Sequence, residues 1–291
     1  MRQRRAAVIY SLYLIVVAGF SFFVYISILN GNAPIPDPDV RRTLGKSIFM
    51  TVSLLQLTAI TFIAPALTAG SLSGEREHKT FDLLRITLVS AREIVNGKFL
   101  SSISLTFLLI VSSLPLQAFA LLLGGVSIIE FTISILILIV TTIFFSATGI
   151  YFSSLFPRSL PAVVLAYLLT NFILIGLPIL IFSLLPLFPA FTDMLFIGLF
   201  QPNLLSPNLI PQILILIIVW FIASSNPIFA AMISEFLFVQ NEVIFWQIIS
   251  LSKTFNFPFF SPWLGFVILY SLTAWIFYRQ TIKKVALKDQ S

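Results

Sequence analysis

The sequence predicts an all-α integral membrane protein with six transmembrane helices and an outer-side re-entrant helical hairpin between the fifth and the sixth. Three observations carry this expectation. Of 291 residues, 58% are hydrophobic and only 10% are charged, against about 25% charged in soluble chains, and the mean hydropathy is +1.05. Apolar runs long enough to cross a bilayer recur between the charged residues, and Lys and Arg gather at alternate ends of those runs.

A bilayer core needs roughly 20 residues of apolar helix, which places spans at about 6–29, 47–72, 99–124, 131–156, 160–186 and 262–278 of a single transmembrane domain, 1–291. Run 6–29 follows Arg2, Arg4 and Arg5. It is longer than the roughly 7–15-residue core of a cleavable signal and no A-x-A site follows it, so it reads as a retained span. Lys and Arg are held on the cytoplasmic side. With the first residues inside, the spans bring Arg76, Lys79, Arg85, Arg92, Lys98 and Arg158 inside, and the last span returns Arg279, Lys283, Lys284 and Lys288. Both termini are then cytoplasmic, and of 17 basic residues only Arg41, Arg42, Lys46 and Lys253 fall outside. This requires 194–234 to make no net crossing. Pro202, Pro207, Pro211 and Pro227 divide that run, each removing a backbone donor and straining a helix interior. A re-entrant hairpin over about 187–226 satisfies the parity, as do two short crossings. Segment 227–260 carries Glu235, Glu242, Lys253, Trp246 and several Phe, a mixture suited to the outer interface; the whole stretch 187–261 is thus assigned to the outer side.

Composition excludes other classes. There is no Cys, and the one His, His78, is too few for a histidine metal centre. The basic residues flank apolar runs instead of forming one solvated face, so the net charge of +6 does not point to nucleic acid. Gly45-Lys46-Ser47 imitates the end of a phosphate-binding loop, but the pattern requires Gly where Val40 stands. Gln56, Gln117 and Asn171 are the polar residues within spans that a substrate path would use; helix–helix hydrogen bonding is the competing role. Pro65, Pro115 and Pro178 are expected to kink or locally open their spans.

The inner loop 73–98 concentrates nine charged residues. Phe81, Leu84 and Leu88 fall at helical spacing on one apolar stripe, with Glu77, Asp82 and Arg85 on other faces. Ser90 followed by Glu93 is a capping-box pattern, so a helix should start there and run through Gly97 and Lys98 into the third span. The loop reads as a short amphipathic helix, a turn and a capped helix, an element able to lie on the membrane or dock into a partner.

The residue order Glu75-Arg76-Glu77, Thr80-Phe81-Asp82-Leu83-Leu84, then a turn, then Ser90, Glu93-Ile94-Val95 and Gly97-Lys98 resembles the inner loop of permeases in the type-2 exporter class of ATP-binding-cassette (ABC) transporters. It also follows the second of six expected spans, as in that class, and Asn226-Pro227 matches an Asn-Pro often found after the outer hairpin. The resemblance implies that the loop holds the coupling helix seated in a cleft of a cytoplasmic ABC ATPase subunit. Glu75, Glu77, Thr80, Phe81, Leu84 and Arg85 would meet or brace that ATPase within a coupling loop that also includes Asp82, Ser90, Glu93, Gly97 and Lys98. There are departures: Lys79 stands where many members have Gly before the Thr, and Leu88 where many have Pro in the following turn. Members also begin with an amphipathic elbow helix, and only 1–5 precede the first span here, so either the start is truncated or that helix is missing.

The resemblance therefore implies a permease subunit in the plasma (inner) membrane, multi-pass and surrounded by lipid, with no cofactor of its own. It would pair with a second copy or a similar permease, and ATP and Mg²⁺ would belong to the partner ATPase. Two other readings stay open: a membrane-embedded enzyme, and a non-transporting regulatory or assembly subunit.

Overall fold

The structure, a computed structural model, describes residues 2–29, 38–79, 90–184, 209–241, 244–250 and 256–288. It is predominantly helical, and it forms two compact units: Met1–Tyr167 with Ser271–Ser291, and Leu168–Tyr270. Among the described residues, five helical stretches are long and apolar enough to cross a membrane: Tyr10–Ile28, Pro38–Glu77, Ala91–Leu122, Ile128–Leu155 and Ser159–Ile181.

In the first unit, α1 is Arg2–Leu29, α2 Pro38–Ala69, α3 Ser73–Glu77, α4 Ala91–Leu122 and α5 Ile128–Leu155. The core is built on α2, which packs against α5, α4 and α1. Leu44, Ile48, Val52, Gln56, Ile60, Ala64 and Thr68 recur every fourth residue on α2 and all are buried, the ridge that seats into a neighbouring helix. Among the described side chains of helix α1, a narrow stripe, Tyr13, Val17 and Ser21, is buried, while Leu12, Ile15, Phe20 and Phe23 are more than half exposed. Such a large exposed apolar surface suits a chain solvated by lipid rather than water.

Four buried threonine hydroxyls on α2 and α5 are satisfied locally. Thr61, Thr68, Thr141 and Thr142 each donate to the carbonyl four residues back, so apolar helices accommodate them at little cost. At Gly149 on α5 a Cβ would lie 2.0 Å from Thr68 Oγ1 and 3.2 Å from the Ala69 nitrogen. Glycine is what lets α5 approach α2 this closely.

Helix α2 starts earlier than expected, at Pro38 instead of near 47. The reason is that Pro is well placed in a first helical turn, and Arg41, Arg42 and Lys46 ride on exposed or paired positions: Lys46 Nζ donates to Glu130 Oε2 at 3.2 Å. Glu130 also closes a capping box with Ser127 at the start of α5.

Helix α6, Ser159–Asn171, runs into a π-turn, Phe172–Gly176, and on into α7, Leu177–Leu184. Among the prolines singled out above, Pro65 and Pro115 sit inside continuous helices, whereas Pro178 follows this opened turn. In the second unit, α8 is Leu209–Ser225 and α9 Pro227–Asn241, with apolar stretches of 10–17 residues. The helical expectation is then corrected: β1, Trp246–Ser250, and β2, Asn256–Phe260, form an antiparallel hairpin with Trp246 opposite Phe260 and Ile248 opposite Pro258. Aromatic and β-branched residues such as Ile248, Ile249, Phe257 and Phe259 favour this pleated pairing. The last helix, α10, is Pro262–Lys288. Much of the expected re-entrant segment, 185–208, lies outside the described residues.

Candidate functional site

Loop 73–98 is described on both flanks, up to Lys79 and from Ser90. Thr80, Phe81, Asp82, Leu84 and Arg85 lie outside the described residues. What the structure shows is how the flanks are fixed.

The turn leaving α2 is fastened to the end of α5. Ser153 Oγ accepts from the Leu72 and Ser73 amides, both at 2.9 Å, and Arg76 Nη1 donates to the Ser154 carbonyl at 2.9 Å. Glu77 reaches the start of α6, where Oε2 accepts from the Ser159 amide at 3.0 Å and from its hydroxyl. A carboxylate at a helix N-terminus meets unpaired amides and the positive end of the dipole. These hydrogen bonds from Ser159, with smaller contributions from His78 and Arg158, hold the Glu77 carboxyl below the usual carboxylate range.

On the other flank the expected capping box forms. Ser90 Oγ accepts from the Glu93 amide at 3.3 Å, and Glu93 Oε2 accepts from the Ser90 amide at 2.8 Å. Helix α4 starts there and continues unbroken through Gly97 and Lys98. Hydrogen bonds from Ser90 hold the Glu93 carboxyl low as well. The first turns of α4 are packed: Ile94 and Val95 are buried with Leu72, Ile150 and Val285. Tyr278 of α10 donates to Asn96 Oδ1, and its ring lies 5.4 Å from that of Phe99. Lys98 closes the frame by pairing with Glu75 of α3.

The turn after α3 has one unusual backbone conformation. Lys79 has φ 57°, the left-handed region normally left to Gly at the end of a helix, and its amide donates to the Arg76 carbonyl at 3.0 Å. This is the position at which the sequence departs from the Gly of the resembled loops.

Of the three path candidates, Gln56 and Gln117 come together. Gln117 Nε2 donates to Gln56 Oε1 at 2.9 Å and both residues are fully buried, so the pair joins α2 to α4. Gln56 Nε2 and Gln117 Oε1 have no hydrogen-bond partner among the described residues. Asn171 is in the other unit, exposed at the end of α6. Sequence reasoning missed Ser153 and Ser159, whose partners are about 80 residues away and leave no local signal. It also missed the Ser127–Glu130 capping box, although the same Ser-x-x-Glu spacing was legible there.

No protein-family model matches the chain, and no curated protein matches it.

Proposed function

We propose that this chain is the membrane-spanning permease subunit of an ABC exporter of the type-2 class. It crosses the membrane six times with both termini in the cytoplasm, pairs with a second copy or a similar permease, and is driven by a separate ATPase subunit that binds ATP and Mg²⁺. The observation that carries the reading is the braced loop. Its residue order resembles the coupling loop of that class, and the turn at Lys79 adopts the left-handed conformation suited to the Gly found there in other members.

The bracing gives the loop a mechanical use. A partner that pulled on segment 80–89 would load Arg76 and Glu77 on one flank and Lys98 on the other. From there the load passes to α5 through Ser154, to α6 through Ser159 and to α10 through Tyr278. A ligand shifts such an equilibrium only by binding one state better than another; ATP closing a pair of ATPase subunits supplies that difference. α10 would then be the sixth span and segment 187–226 the outer re-entrant element.

The test is mass spectrometry of what co-purifies with the tagged chain from mild detergent. Recovery of an ATPase subunit with a phosphate-binding loop is the expected result; a folded chain in good yield that never brings one down contradicts it.

A further inference from the structure

We propose that Asn226 is a positioning residue: its side chain latches a built-in interruption of the α6–α7 helix, making 172–178 the bending point of that segment. The use of the bend in a transport cycle rests on the permease reading above; the latch itself does not.

The interruption follows from donors. In an α-helix each amide donates to the carbonyl four residues back. Pro178 has no amide proton, so the Leu174 carbonyl loses its helical donor. The Leu177 amide donates to the Phe172 carbonyl, five residues back, in the π-turn. The Ile173 carbonyl thereby loses its helical donor too, and the residue five positions on, which a π-turn would use, is again Pro178.

Both carbonyls are met by one group. Asn226 Nδ2 donates to the Ile173 carbonyl at 3.0 Å and to the Leu174 carbonyl at 3.1 Å. Its Oδ1 accepts from the Ile228 amide at 2.9 Å and the Phe229 amide at 3.3 Å, capping α9. One amide side chain thus serves two broken helix ends at once, and it is 1% exposed. Orphaned carbonyls in a water-poor interior are costly, so without Asn226 this turn has reason to open or reorganise.

The latch is anchored. Ser224 Oγ donates to the Pro262 carbonyl at 3.0 Å and Tyr270 Oη to the Ser225 carbonyl at 2.7 Å. A Cβ on Gly265 would lie 2.5 Å from Ser224 Oγ, so α10 passes close beside this break. Residues 224–226 therefore form a fixed post, to which the Asn226 side chain ties the two free carbonyls of the π-turn. π-turns within helices commonly mark functional sites, and a bend held by two hydrogen bonds can be released without unpacking a core.

Backbone hydrogen exchange on the full chain in lipid nanodiscs tests the latch with Asn226→Ala, Asn226→Ser, Pro178→Ala and the double variant Asn226→Ala/Pro178→Ala. Serine keeps an N-cap acceptor but is too short to reach Ile173. With both single Asn226 variants, amides of 173–184 are expected to exchange about tenfold faster, a factor corresponding to about 1.4 kcal/mol; with serine, the start of α9 stays protected. Pro178→Ala restores a backbone donor, so in the double variant exchange at 173–184 returns close to wild type. Unchanged exchange in both Asn226 variants, or a double variant as fast as Asn226→Ala, overturns the latch. The activity readout is ATP turnover by the complex with its co-purified ATPase. Pro178→Ala should keep the ATPase bound yet lose most substrate-coupled turnover; full turnover overturns the bending role. If no ATPase is recovered, the permease reading fails, and the exchange result still decides the latch.

Discussion

Lys98, in the second turn of α4, pairs with Glu75 of α3 across loop 73–98, so the two flanks of segment 80–89 are tied to each other as well as to the helices behind them. The side chains are 36% and 22% exposed, and pairs of this kind contribute about 0.2–1 kcal/mol. Glu75→Lys and Lys98→Glu should each lower thermal stability slightly, and the double reversal should recover it, with the coupling shrinking in high salt. Additive losses in the double-mutant cycle would show that the pair is incidental.

Lys79 pays a conformational penalty at φ 57°, of about 1–2 kcal/mol for a residue with a Cβ. Lys79→Gly relieves it, while glycine's greater freedom in the unfolded chain offsets part of the gain. The expected net effect is a stabilisation of up to about 1 kcal/mol, seen as a higher melting temperature. A lower one would show that the Lys side chain contributes more than its backbone costs.

Two glycines should behave in opposite ways. Gly149→Ala drives a Cβ into Thr68 and the backbone at Ala69, an overpacking expected to cost about 1–3 kcal/mol and to push α2 from α5. Gly97→Ala meets nothing within 4 Å and lies inside α4, where alanine is favoured by up to about 1 kcal/mol. Melting temperatures of the two variants check both signs.

The Gln56–Gln117 pair decides between packing and passage. If its role is to join α2 and α4, Gln56→Leu and Gln117→Leu should each destabilise by about 1 kcal/mol, and the double variant by less than the sum. A double variant that keeps its stability but alters cargo-stimulated ATP turnover would instead place the pair on the substrate path.

Low pH should loosen the loop. The carboxyls of Glu77 and Glu93 are both held low by hydrogen bonds, chiefly from Ser159 and Ser90 respectively. A lowered folded value means the stabilisation is fully present above the ordinary carboxylate range and is lost as pH falls through the folded values. Proteolysis of loop 73–98 should therefore accelerate only once the pH falls below the ordinary carboxylate range. Glu77→Gln should weaken that dependence; an unaltered pH profile in a Glu77→Gln/Glu93→Gln variant would contradict the assignment.

What was legible in the sequence was what repeats locally. Apolar run length marked the helices, and Ser90 with Glu93 marked the start of α4 because both capping partners lie within one turn. Segment 246–260 was not legible as a hairpin: its aromatic and aliphatic residues suit a membrane interface equally well, and pairing between Trp246 and Phe260 is a register no local pattern reveals. Asn226 was visible only as half of an Asn-Pro pair. Its partners, Ile173 and Leu174, are more than 50 residues away and offer backbone carbonyls, which carry no sequence signature. The same holds for Ser153 and Ser159, small residues whose importance comes from the loop that folds onto them.

The central claim is that segment 80–89 meets a cytoplasmic ATPase, and photo-crosslinking tests it most directly. A benzophenone amino acid replaces Phe81 in one variant and Leu122, which is 87% exposed at the far end of α4, in another; both are irradiated in native membranes. The account predicts a crosslinked adduct containing an ATPase subunit from position 81 and none from position 122. An ATPase that co-purifies with the chain but crosslinks from 122 and not from 81 would contradict it.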